Sequence, residues 1–517
     1  MTEFLNDWGL ILTIFLPLVG ALVMMAIPKE SEGTIKAVAL GTSLLAALVG
    51  ILLLVDFDYG AAGDLQFVVD RQWIELINAR FILGLDGLSL PLLMLTLGIV
   101  PLVIIYSWDH IPSPGNPKAF FALMLILETG MVGSFLAQDL ILFFVFFEVV
   151  LLPMYFLIGV WGGEQRQYAS IKFFLYTLFG SALMIVSFLA VYFLSKDPAT
   201  GEALRTFDMR LLSDVAGAGI ARTSAILIFG GMFMGFGIKV PMFPFHTWLP
   251  DAHTQAPTAG SVILAAVLLK LGTYGFIRIA IPILPEGARW WAPIIGILAA
   301  IGIIYGALGC LAQTDMKRLI AFSSVAHMGY VMLGIATLTD FGMNAAVFGM
   351  VAHGLITGML FFVAGSMKDR YHTLEIKRLG GLLISAPKMG WILGFATMAS
   401  LGLPGLAGFW GEFPAILSAY DPAVGLNVAL FRTLMVVAAI GTVFAAGYLL
   451  WLYQRTAFGT PTEEFADDPN ITDVSRNEWI AWTPILILIV VFGFFPGLIF
   501  DVTNPAITEI AKVVGGN

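Results

Sequence analysis

Apolar runs of about 20 residues recur from one end of this chain to the other, each long enough to cross a ~30 Å hydrocarbon layer as a helix. They fall at 8–27, 34–55, 86–106, 118–136, 139–160, 169–195, 222–245, 257–283, 290–311, 317–338, 343–365, 388–417, 430–453 and 479–500. Lipid offers the backbone no water, so a chain of such runs must satisfy its N–H and C=O groups within helices. The expectation is an all-α polytopic membrane protein with about 14 transmembrane helices. With 59% hydrophobic and 12% charged residues in 517 positions, no sizeable extramembrane domain is left over.

Charge placement gives an orientation. The N-terminus, MTEFLNDWG, is acidic where a secretory signal is basic, so the first span is expected to be retained. Putting that end outside leaves Lys29, Lys36, Arg166, Lys172, Lys317, Arg318, Lys368, Arg370, Lys377, Arg378 and Lys388 on the cytoplasmic side, as the positive-inside bias prefers. The segment from Asp56 to Arg80 then faces out, as does the C-terminus. The net charge of −9 comes without a basic stripe, which argues against a nucleic-acid partner. Cys310 is the single cysteine, so the chain forms no internal disulfide and no thiolate-ligated cluster or zinc site. It reads as a small buried residue. No P-loop or dinucleotide fingerprint occurs, and redox or nucleotide chemistry is assigned to partner chains.

Six titratable side chains lie at the depth of the bilayer midplane on six different spans: Glu148, Lys239, Lys270, His327, His353 and Glu412. A lysine at that depth costs about 2.5–3.5 kcal/mol or more, so each is a functional-site hypothesis. One buried histidine is readily a helix-to-helix hydrogen-bond anchor, and His353 is the member most open to that reading. A matched set of both signs points instead to a polar axis along the membrane that hands protons between acids and bases. Glu128 reads as a hydrogen bond to a neighbouring helix. Asp86, Asp139 and Arg278, near span ends, read as ordinary interfacial charges.

Two of these spans are interrupted. Pro241 and Pro244 follow Lys239, and Pro404, a glycine-rich run and Pro414 surround Glu412. Proline frees helix carbonyls, tolerated in a membrane only where protein or water re-satisfies them. The seventh and twelfth helices are therefore expected to be discontinuous. They are five spans apart and cross in opposite directions, the pattern of an inverted repeat. The expected organisation is helices 1–3 in 1–110, a first five-helix repeat in 118–283, a second, inverted one in 290–456, and a last helix and tail in 479–517.

The segments KVPMFPFHTWLPDAHTQAPTAGSVILAAVLLKLGTYG, TDMKRLIAFSSVAHMGY and AHGLITGMLFF resemble the proton-translocating antiporter-like family of respiratory complex I, which is shared with multisubunit cation/proton antiporters and membrane-bound hydrogenases. The resemblance spans roughly residues 85–455. Glu412 stands where the family usually has lysine, and GLPGLAGFWGEF and the short tail resemble the chain M branch of complex I, counterpart of mitochondrial subunit 4.

The resemblance implies a membrane-arm subunit of a proton-translocating NADH:quinone oxidoreductase, with FMN, iron–sulfur clusters and quinone in partner subunits and no cofactor or metal on this chain. Partners would be other membrane-arm subunits, adjacent antiporter-like ones included, and membrane lipid. The location would be a bacterial plasma membrane. Residue by residue, it implies that Glu148 and Lys239 form an ion pair whose opening and closing is a switch, since a near carboxylate favours the charged ammonium and its withdrawal favours proton release. Lys270 becomes the central relay, His327 lies beyond it, and Glu412 is the terminal acid. His246 and His253, in FHTWLPDAH, either line access from the cytoplasm or cap the break. The alternatives are a static Glu148/Lys239 pair, a cation/proton antiporter or hydrogenase subunit, and a scaffold; the last leaves the charges at matched depth unexplained.

Overall fold

The computed structural model describes residues 2–466 and 468–515. Eleven helices among them are long and apolar enough to cross a membrane: α1 Leu5–Ala26, α2 Glu32–Asp56, α4 Pro117–Leu136, α5 Leu140–Trp161, α6 Arg166–Leu194, α8 Thr258–Ile283, α9 Pro285–Leu311, α10 Met316–Ala336, α11 Asp340–Tyr371, α14 Val428–Ala457 and α15 Arg476–Phe494. Between them lie α3 Leu90–Tyr106 and α7 Arg222–Lys239, and the expected twelfth span is split into α12 Pro387–Ser400 and α13 Ala407–Ser418. The chain is a multi-pass, mainly helical membrane protein. Helices apolar all round belong in the middle of such a bundle, and α8, α10 and α11 are sheathed almost completely while α2 and α14 expose most of their surface.

Both expected interruptions occur, the second at 401–406 around Pro404 while Glu412 and Pro414 sit inside the continuous α13, and the backbone groups freed at the first are accounted for. Pro241 cannot donate to Gly237, whose carbonyl is taken by the Met242 N–H at 2.9 Å. The next carbonyl, Ile238, accepts from the Trp248 indole at 2.9 Å, so the short helix Trp248–Gln255 beyond the break satisfies the end of α7. At the second break, Gly402 and Gly405 have φ of +70° and +91°, left-handed values that glycine adopts without steric cost. They turn the chain from α12 into α13. Gly411 of α13 then meets Gly349 of α11 so closely that a Cβ at 411 would lie 2.5 Å from the Gly349 Cα, small residues letting two backbones touch.

The structure departs from the all-helical expectation at 66–85. There β1 Gln66–Ile74 and β2 Ala79–Leu85 pair antiparallel as a hairpin, closed by Asn78 in the left-handed region. Asp70 accepts from Arg80 at 2.8 Å and Arg210 at 3.0 Å, tying the hairpin to the short helix Met209–Val215. The last apolar run also ends earlier than expected. Phe495 and Pro496 divide it, and α16 Gly497–Gly515 lies as a separate amphipathic helix on the hairpin side, its Val502 and Pro505 carbonyls packed on Gly87 and Gly63.

Of three charges expected at the interface, Asp86 and Asp139 are buried and Arg278 is partly buried. Arg278 holds both carboxylate oxygens of Asp86 at 2.6 Å, and Asp86 is 2% exposed. Desolvated charges persist only when paired and hydrogen-bonded; a second Asp86 role, accepting from the Leu88 and Ser89 N–H groups, completes the set. Asp139 is the N-cap of α5, accepting from Ile141 and Leu142, and its other oxygen accepts from the Arg80 N–H.

Candidate functional site

The most buried helices bring four of the six midplane residues into one file. On α8 the helix loosens to π geometry at Leu264–Leu268, then returns to α-helix at Leu269–Gly275, which carries Lys270. π-Turns release carbonyls from the i→i+4 ladder and are frequent at functional sites. Here the Lys270 ammonium donates to the Ala265 carbonyl. Its Nζ also lies 2.7 Å from His353 Nδ1 on α11. The His353 and His327 rings follow at 6.1 Å between centroids. His327 Nδ1 then lies 2.5 Å from Glu412 Oε1 on α13.

His327 is held at both nitrogens. Ser400, the last residue of α12, and Tyr448 on α14 each place a hydroxyl 3.2 Å from Nε2. Two hydroxyls facing Nε2 and a carboxylate facing Nδ1 suit the tautomer that donates from Nδ1 to Glu412 and accepts at Nε2. His353 Nε2 has no protein partner among the described residues. Both histidines line a cavity of about 20 Å³, together with Thr357, Ser400 and Glu412, room for about one water by the ~10–15 Å³ that one requires.

Chemically, this arrangement of groups can pass a proton along the file. Lys270 can give a proton to His353 Nδ1 as His353 releases one from Nε2. One water-sized step reaches His327, which passes the charge to Glu412. Imidazole is suited to this because it accepts at one nitrogen and donates from the other near neutral pH.

Glu148 and Lys239 are not part of these direct contacts. Their charges interact across a gap, and no ion pair within 4.0 Å joins them among the described residues. The direct pair expected from the resemblance is open in this structure. Lys239 Nζ instead sits 4.6 Å from the Phe147 ring centroid, a cation over an aromatic face. Lys239 abuts α8 two residues from Lys270, since a Cβ on Gly272 would lie 3.1 Å from the Lys239 Cβ.

The two histidines of the broken seventh span differ. His246 packs between Phe243 and Tyr305, away from the file. His253 is fully buried against Phe361, with ring centroids at 4.5 Å, and neither ring nitrogen has a protein partner among the described residues. Its electrostatic neighbours are Lys317 and Lys270, and Lys317 is buried and donates to the Ala256 carbonyl. Lys317 and Arg370, expected as flanking charges, are both interior. Arg370 makes a two-bond pair with Glu478 at 2.8 Å. Sequence reasoning did not reach Ser400, Tyr448 or Glu478; a serine, a tyrosine and a span-end glutamate have no signal beyond the partner that folding brings. Glu128 accepts from Ser43 Oγ at 2.9 Å, the helix-to-helix bond expected of it, and Cys310 is buried with its thiol on the Leu319 carbonyl.

Comparison with known proteins gives these contacts a setting. The family described as NADH:quinone oxidoreductase/Mrp antiporter, TM, matches residues 137–440, and that described as NADH-ubiquinone oxidoreductase chain 4, amino terminus, matches 11–134. NADH-quinone oxidoreductase subunit M of Rhodobacter capsulatus is 42% identical over 507 residues, covering 96% of this chain and 95% of the relative. NADH-ubiquinone oxidoreductase chain 4 of Chondrus crispus is 38% identical over 488 residues, covering 94% of each. Among solved structures, a chain of respiratory complex I from Thermus thermophilus superposes with a TM-score of 0.85 at 29% identity, covering 98% of this chain and 100% of that one. A chain of the Mrp complex from Dietzia shares the fold, with a TM-score of 0.79 at 20% identity and coverage of 98% and 99%. Matched over nearly its full length by these relatives, the chain belongs to the subunit M/chain 4 family of respiratory complex I.

Proposed function

We propose that this chain is a proton-translocating subunit of the membrane arm of NADH:quinone oxidoreductase, and that Lys270, His353, His327 and Glu412 carry the proton along it. The observation that supports this reading most is the continuity of the file: two direct contacts of 2.7 and 2.5 Å joined by one water-sized step. FMN, iron–sulfur clusters and quinone belong to partner subunits in this reading, and adjacent antiporter-like subunits are its neighbours along the arm. The face carrying the hairpin and α16 is the outer one, both termini lie on it, and the membrane is a bacterial plasma membrane. Residues 118–283 and 290–456 are the two inverted units, each with one broken helix at its heart.

Glu148 is the switch. When its carboxylate approaches Lys239, the ammonium is favoured; when it withdraws, Lys239 is readier to release its proton toward α8. The open arrangement seen here is the releasing one. Glu148→Gln removes the charge while keeping a similar shape. In membrane vesicles that variant should assemble normally yet lose most NADH-driven proton uptake, and undiminished proton uptake per NADH would remove Glu148 from the mechanism.

A further inference from the structure

We propose that a groove between α12 and α15 binds one anionic phospholipid. The groove has a volume of about 600 Å³ and is walled by Trp391 and Phe395 from α12 and by Trp479, Ile487 and Val491 from α15. It exists because the broken span diverges from α15 in its first half and meets it in its second. There the Trp410 indole donates to the Gly493 carbonyl at 2.8 Å, and a Cβ on Gly493 would lie 2.1 Å from the Gly405 carbonyl oxygen. The groove is thus shut at the hairpin-side end of α15, where Gly493 is the penultimate residue, and open toward the opposite end.

Its length identifies the occupant. From Trp479 to Val491 the wall rises roughly 18 Å at ~1.5 Å per residue, which matches one leaflet of a ~30 Å hydrocarbon core and falls well short of a spanning helix from a neighbouring subunit. Its open end is cationic. Lys388 lies on the groove wall. Arg476 stands one turn before Trp479 on the same helix face. Neither forms an ion pair within 4.0 Å among the described residues. Of the acids near them, Asp473 has its oxygens taken by the backbone N–H groups of Lys388, Met389 and Val474, and Asp109 accepts from the Asn477 amide at 2.5 Å. Trp391 and Trp479, 69% and 36% exposed, lie near this end, at the depth where amphipathic indoles favour the headgroup region. A phosphate between Lys388 and Arg476, with one acyl chain laid between α12 and α15, satisfies both the charge and the length. The lipid would brace the half-helix whose far end presents Ser400 to His327, but its binding does not depend on the proton-transfer reading.

The test uses the whole complex, purified in mild detergent and equilibrated with a defined mixture of phosphatidylglycerol and phosphatidylethanolamine, with retained lipid measured by native mass spectrometry. Lys388→Gln with Arg476→Gln should lower the preference for phosphatidylglycerol at this site about thirtyfold, equivalent to about 1 kcal/mol for each cation. The charge-keeping pair Lys388→Arg with Arg476→Lys should retain it, and Val491→Trp, which fills the groove, should release one lipid of either headgroup. An unchanged headgroup preference in the double glutamine variant overturns the proposal. So does a photoreactive residue at position 391 that captures a neighbouring subunit instead of lipid.

Discussion

At the residue scale, the account rests on what each nitrogen and oxygen of the file can accept. The depth of six titratable residues was legible because an apolar run makes any charge inside it conspicuous. Their order of contact was not, because it depends on how α8, α10, α11 and α13 pack. His353, the residue most open to a structural reading, turns out to be the link between Lys270 and His327. Ser400 and Tyr448 were invisible because their role arises only where three helices meet His327 Nε2. Since both hydroxyls face that one nitrogen, their losses should be coupled. Ser400→Ala and Tyr448→Phe should each slow NADH:quinone turnover about twofold to fivefold, and the double variant should exceed the product of the singles; a strictly multiplicative result in rate assays argues against a shared acceptor. Glu128→Gln, which keeps an acceptor for Ser43, should leave turnover within about twofold, as expected where a single hydrogen bond is exchanged for another.

At the element scale, the two breaks were legible where proline coincides with a buried charge or a glycine-rich run, although Pro414 and several other prolines sit inside unbroken helices; the hairpin and α16 were not legible. The hairpin sequence QFVVDRQWIELINARFILGL lies between spans, where the reading assigned only a side of the membrane. The last apolar run hid the separation of α15 from α16 because its hydrophobicity continues across Pro496. How the second break is held follows from buried charge. Arg370 and Glu478 are 8% and 0% exposed, and Arg370 also grips the Thr472 and Asp473 carbonyls at 2.6 and 3.0 Å. Asp473 in turn caps the start of α12. Glu478→Gln leaves a buried guanidinium unpaired and should cost about 3–5 kcal/mol, while Arg370→Met combined with Glu478→Leu should recover much of it. Thermal unfolding of the purified complex, or the amount of subunit assembled, distinguishes these; a double variant worse than the single would mean that the pair itself, not its desolvation, holds α12. Gly411→Leu should also fail to assemble well, because its side chain would have to displace the Gly349 backbone.

At the scale of the whole molecule, the two faces differ in what secures them. The hairpin face is tied by Asp70 to Arg80 and Arg210. Partial burial raises the Asp70 pKa, yet hydrogen bonds from both arginines outweigh it and hold the carboxyl below its usual range. A depressed pKa means that this tie is present above the unfolded value near 3.8 and is lost as pH falls through the folded one. Acidification to about pH 5 should therefore leave the hairpin in place, and high salt should loosen it more, since these groups are partly exposed; protease sensitivity of the 66–85 segment reads both. The interior is secured by packing and by the largely buried Arg278–Asp86 and Arg370–Glu478 pairs, and in the proposed function the buried bases and acids of the Lys270–Glu412 file are retained for the protons they carry.

The most direct test of that claim is the number of protons moved per NADH oxidised by the complex in sealed liposomes when His353 is replaced by glutamine, which keeps hydrogen-bonding atoms but cannot carry a proton between two ring nitrogens. The account predicts that proton transfer through this subunit stops, so that the yield falls while the complex remains assembled. A His353→Gln complex with the full proton yield and turnover would contradict the relay from Lys270 to Glu412.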